Sequence, residues 1–109
     1  MSTYLLVFRA PKGFVSSPES AGAWSAWHQG LGARLKDRGN PVYQSAAVGA
    51  EPAGTALCGY SLVRAADLDS ALALAEGCPG IPQGMSVEVG EVTSTDDVFD
   101  AYLTEHAVA

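Results

Sequence analysis

Trp24, Trp27 and His28 bring two large aromatic rings and one titratable ring into little more than a single helical turn. An imidazole changes charge near neutral pH. It serves as general acid or base once another group orients its second nitrogen. At helical spacing the three residues share one stripe with Leu31 and Leu35. Such a stripe is either core or the wall of a cleft for an aromatic ligand. His28 is accordingly either a packed side chain bonded to a backbone carbonyl or a group that moves a proton. Its orienting partner has to come from elsewhere in the chain, and Glu88, Asp69 and the Cys78 thiol are the candidates. Asp37, nine residues on, would lie on the opposite side of the helix.

Other residues carry weaker signals. Arg9 ends an apolar run, and its planar fork suits a carboxylate or phenolate; the alternative is a place on the surface or at a dimer interface. Glu88 points away from the face of Val87 and Val89, either as a carboxylate with a raised pKa or as a solvated strand residue. Tyr60 and Ser61 fall on opposite faces of one strand, so at most one of them faces a given cleft. Cys78 follows a helix C-terminus, where the dipole disfavours a thiolate nucleophile. His28, His106, Cys58 and Cys78 lack the short spacings of a zinc site, and no glycine-rich phosphate loop follows a strand. No metal and no cofactor is expected.

The elements that must position these groups follow from periodicity and breakers. Residues 4–9 read as a strand apolar on both sets of alternate positions, hence central and covered on both faces. Ser17, Pro18 and Glu19 start a helix that the pattern carries to Arg38, with Gly39 and Pro41 as stops. Gly22, Gly30 and Gly32 each cost that helix about 1 kcal/mol relative to alanine, so tryptophan packing has to supply the difference. Strands are expected over 42–48 and 56–64, with a turn between them. Asp67 caps a second helix over 68–76, which ends at a left-handed Gly77 and at Pro79. Met85 to Val92 alternates as a last strand. The order strand, helix, strand, strand, helix, strand is that of a ferredoxin-like α+β fold: a four-stranded antiparallel sheet with two helices on one face. Apolar residues on both sides of the first and last strands call for cover on the other face. A second copy packed sheet to sheet, a dimeric α+β barrel, is the expected solution.

The 109 residues make one domain, placed at 1–92, and a tail at 93–109. Within the tail, Ser94 or Thr95 caps a short helix with Val98, Phe99, Tyr102 and Leu103 on one side. That helix would pack on the domain or on a partner subunit, or form a lid over a cleft. Hydrophobic residues make up 48% of the chain, and its net charge is −6. A field of that sign repels a phosphate backbone, so nucleic acid is not an expected partner. No apolar run reaches membrane-spanning length, and the first residues lack the basic start of a signal peptide. Two cysteines outside any CxxC motif fit reduced thiols in the cytoplasm.

Taken in order, YLLVFRA at the start, the helix with Trp27 and His28, CGYSLVRAADLDSALALAEGCP and the closing GMSVEVGEV resemble the YCII-related proteins, in the branch named for a DGPF motif. The resemblance covers roughly residues 4–92. It implies the dimeric α+β barrel and a cleft near the helix histidine. It also implies, for a few members, enzymes that act on aromatic or chlorinated rings. The hairpin that names the branch is missing, with residues 49–55 forming a shorter turn. An arginine expected after Val89 is replaced by Gly90. The aspartate that the broader family pairs with the histidine corresponds to Cys78 here. The expected function is a cofactor-independent enzyme on a small aromatic or phenolic metabolite. His28 would move the proton, Arg9 would hold an anionic group, and Trp24, Trp27, Tyr60 and Glu88 would line the site. The alternative is a dimeric module that binds a small ligand or partner without catalysis.

Overall fold

The computed structural model describes residues 1–50 and 52–105. It is an α+β fold with three α-helices and a four-stranded antiparallel sheet, ordered β1 (Ser2–Pro11), α1 (Pro18–Leu31), β2 (Leu35–Pro41), β3 (Thr55–Ala65), α2 (Leu68–Ala75), β4 (Ser86–Val92) and α3 (Thr95–Glu105). Across the sheet the strands run β2-β3-β1-β4, all neighbours antiparallel, consistent with the ferredoxin-like expectation. β1 is central, as its two apolar sets implied.

The strand pleat divides the sheet into two unlike faces. Tyr4, Leu6, Phe8 and Ala10 of β1 are buried, and with Val63, Ala65, Leu31, Ala71, Ala75 and Cys78 they form the core. Leu5, Val7 and Arg9 alternate onto the other face and are half-buried. Both α1 and α2 pack on the first face, so among the described residues the expected cover of β1 is present on one face only. Phe8, Trp24 and Trp27 meet edge to face, with centroids 4.8 to 6.0 Å apart, each such pair adding about 0.5–1.5 kcal/mol beyond its buried area. This cluster offsets the glycines of α1.

Both helix starts form as the sequence implied: Ser17 Oγ accepts from Ser20 N at 3.1 Å, and Asp67 Oδ1 from Ser70 N at 2.8 Å. The ends differ from expectation. α1 stops at Leu31 because Gly32 adopts φ +57°, and a 3-10 turn over Gly32–Arg34 then leads into β2. The second strand is therefore Leu35–Pro41, inside the stretch assigned to the helix, while residues 42–48 form a loop. Leu35 continues the helical stripe in sequence but pairs with Val63 as a strand residue. Gly77 is not left-handed; it lies where a Cβ would press on the Trp27 indole nitrogen at 3.1 Å, and Gly84 takes the left-handed turn before β4 at φ +91°. The tail forms α3, but all its described residues are exposed, including Val98, Phe99, Tyr102 and Leu103. His106 lies outside the described residues. Among the described residues no helix is long and apolar enough to cross a membrane.

Candidate functional site

Three elements converge on His28, which sits in the last turn of α1 with its ring 5.1 Å from that of Trp27. β3 supplies Ser61, wholly buried on the helix-facing side of the sheet, with Oγ 3.2 Å from His28 Nε2. β2 supplies the Arg38 carbonyl, which accepts from the Ser61 hydroxyl at 2.7 Å. A carbonyl only accepts, so the single hydrogen of Ser61 is committed to Arg38. Ser61 Oγ must then accept from His28, and Nε2 carries the ring proton. In the neutral ring Nδ1 keeps its lone pair, and no described residue bonds to it. Partial burial, and then the positive charge of Arg38, hold the His28 pKa below the ordinary 6.5. Both influences favour the uncharged ring, whose bond to Ser61 then leaves Nδ1 as the basic nitrogen.

β2 reaches Ser61 through an irregular register. Leu35, Asp37 and Asn40 pair with Val63, Leu62 and Tyr60, so two residues of β2 are in excess of β3. At the second irregularity Asp37 Oδ1 accepts from Gly39 N at 2.8 Å, and Gly39 takes φ +70° against the Tyr60 backbone. The side-chain turn of Asp37 and the glycine together form a bulge that re-aims Arg38. A second bulge opposes Cys58 and Gly59 to Phe8, and Cys58 packs against the core.

A cleft of about 770 Å³ opens here, with Phe8, Trp24, His28, Arg38, Tyr43 and Ser61 among its lining residues. Of the residues singled out in the sequence, the structure brings His28 and Trp24 to it; Tyr60 borders it, but its side chain alternates with Ser61 onto the face of its partner Val7, where its hydroxyl accepts from Asn40 Nδ2 at 2.9 Å. Trp27 stands behind Trp24 and His28 and does not line the cleft. Arg9 does not reach it. The pleat carries Arg9 to the uncovered sheet face, where its Nε donates to Thr55 Oγ1 at 3.1 Å. Glu88 pairs with Val7 and is exposed, the solvated reading of that residue. None of the partners considered for His28 serves it: Glu88 is on the far face, Asp69 is exposed on α2, and Cys78 is buried in the core, where burial raises its thiol pKa.

Ser61 enters the sequence reading as the alternative to Tyr60 but not as the partner of His28, and Arg38 is not singled out there. Ser61 did leave a signal: it is the polar member of an otherwise apolar or glycine alternation, Gly59, Ser61, Val63 and Ala65. Among the described residues no group of three or more His, Cys, Asp or Glu could hold a metal ion. No protein-family model, no curated protein and no solved structure matches the chain.

Proposed function

We propose that this protein is a cofactor-independent enzyme that moves a proton on a small aromatic or phenolic metabolite, with His28 as the base. The observation that carries the reading is the bonding of Ser61, whose one hydrogen goes to the Arg38 carbonyl and so assigns the His28 proton to Nε2. The free lone pair on Nδ1, in a ring kept neutral by its surroundings, is what a general base needs at pH 7. Phe8 and Trp24 give the cleft an apolar wall on which an aromatic ring can stack. The resemblance to YCII-related proteins points the same way, although here a serine, not an aspartate, orients the histidine. Homodimerisation belongs to the same proposal: the sheet face bearing Leu5, Val7 and Leu62 has no helix over it among the described residues, and a second copy would cover it in a barrel.

A ligand-binding dimer without catalysis is the second reading. It is favoured by the lack of any described acidic side chain in the cleft to complement His28. Resorcinol in D₂O separates the two. The enzyme reading expects ring hydrogen exchange, followed by NMR, to run about 100-fold or more above buffer, and His28→Gln to abolish the gain. Resorcinol that shifts the His28 ring signals without accelerated exchange leaves the binding module. No perturbation of His28 by resorcinol overturns both.

A further inference from the structure

The chain carries twelve acidic and six basic residues, yet the charged side chains among the described lining of the His28 cleft are Lys12 and Arg38, with no Asp or Glu. A cleft lined at random from this composition would be acidic. Arg38 is placed with some structural investment: the Asp37 side-chain turn, the positive φ of Gly39 and the bulge against β3 all act at its backbone. Its carbonyl holds Ser61, while its guanidinium has no hydrogen bond or ion pair among the described residues. A guanidinium left without a carboxylate partner, at the mouth of an apolar cleft in an acidic protein, is a receptor for an anion. Its planar fork matches a carboxylate in two parallel hydrogen bonds. Phe8 and Trp24 line the same cavity.

We infer that the cleft binds aromatic carboxylates, with Arg38 holding the carboxylate and the ring lying against Trp24 beside His28. The inference deepens the proposed function by naming the substrate class, and it rests on the cleft being the ligand site. It moves the anion-holding role from Arg9, on the opposite sheet face, to Arg38.

The test uses 2-naphthoate and its uncharged analogue 2-naphthamide, titrated into the full chain and followed by tryptophan fluorescence and by the His28 ring signals. Naphthoate should bind at least about tenfold tighter than naphthamide to the unmodified protein, and less tightly as salt is raised. Arg38→Gln should abolish that preference by weakening naphthoate far more than naphthamide, with circular dichroism confirming that the fold is retained. Equal affinity for the two probes, or a preference that survives Arg38→Gln, overturns the assignment of Arg38 and leaves the aromatic cleft standing. If neither probe perturbs Trp24 or His28, the cleft itself is not a ligand site, and both readings fall.

Discussion

His28 titrates in a setting that makes the stability of the fold depend on pH. Burial and Arg38 hold its folded pKa below 6.5, so between those two values the unfolded chain binds more protons than the folded one. Stability is then complete above pH 6.5 and declines as pH falls from 6.5 toward the folded pKa. His28→Gln removes that contribution. In thermal melts between pH 7.5 and 5 the variant should lose less stability than the unmodified protein. Parallel pH profiles for the two would show that His28 is not depressed. The residue scale is also where the sequence spoke unevenly. Trp24 and His28 sharing a stripe was legible, because both are on the helical part of that stripe. The placement of Arg9 was legible in principle, since it alternates with Leu5 and Val7, opposite to the face that receives the helices. The roles of Ser61 and Arg38 depend on a strand that the pattern concealed.

That strand is β2, and the reason for its concealment is physical. As an edge strand with one neighbour it needs little apolar surface, so Lys36, Asp37 and Arg38 show no alternation of the kind a buried strand does. Leu35 falls four residues after Leu31 and extends the helical period by coincidence. Two glycines competed to end α1, and the left-handed backbone of Gly32 decides it. The caps at Ser17 and Asp67 and the alternation of β1, β3 and β4 were legible because each rests on local chemistry or strict periodicity. The glycines now separate into two kinds with opposite expectations. Gly22 lies exposed within α1 with open space where a Cβ would go, so Gly22→Ala should stabilise by about 0.5–1 kcal/mol. At Gly39 a Cβ would collide with the Tyr60 carbonyl oxygen at φ +70°, so Gly39→Ala should cost about 3 kcal/mol. Urea unfolding measures both. Equal effects of the two substitutions would refute the bulge geometry at Gly39.

At the scale of the whole molecule, the principal extents of 60 × 35 × 20 Å reflect an open sheet and a helix that stands away from it. Phe99 is 61% exposed and Leu103 64%, and the uncovered sheet face adds Leu5, Val7 and Leu62. The proposed homodimer accounts for the sheet face. Light scattering at micromolar concentration should give twice the 11.2 kDa chain mass. Val7→Glu would set a second carboxylate beside Glu88 on that face and should yield the single-chain mass with the fold intact by circular dichroism. A monomeric parent protein, or a dimer that tolerates Val7→Glu, would rule out sheet-to-sheet packing. The interface could not be read in full from sequence, because half-buried apolar residues on a central strand look the same whether a helix or another subunit covers them.

The doubly bulged register of β2 has one more consequence. An edge strand whose ladder is interrupted twice is held by fewer backbone bonds than β1 or β3, and segments held in that way are the ones expected to open locally first. When β2 peels away, Arg38 leaves the cleft and its carbonyl leaves Ser61 in the same event. The ligand anchor is lost and the proton on His28 becomes free to change nitrogen. Seizing an anion and fixing the tautomer are thus one cooperative closure: whatever binds Arg38 slows the breathing of β2 and, through that strand alone, holds the imidazole in the form that accepts a proton at Nδ1.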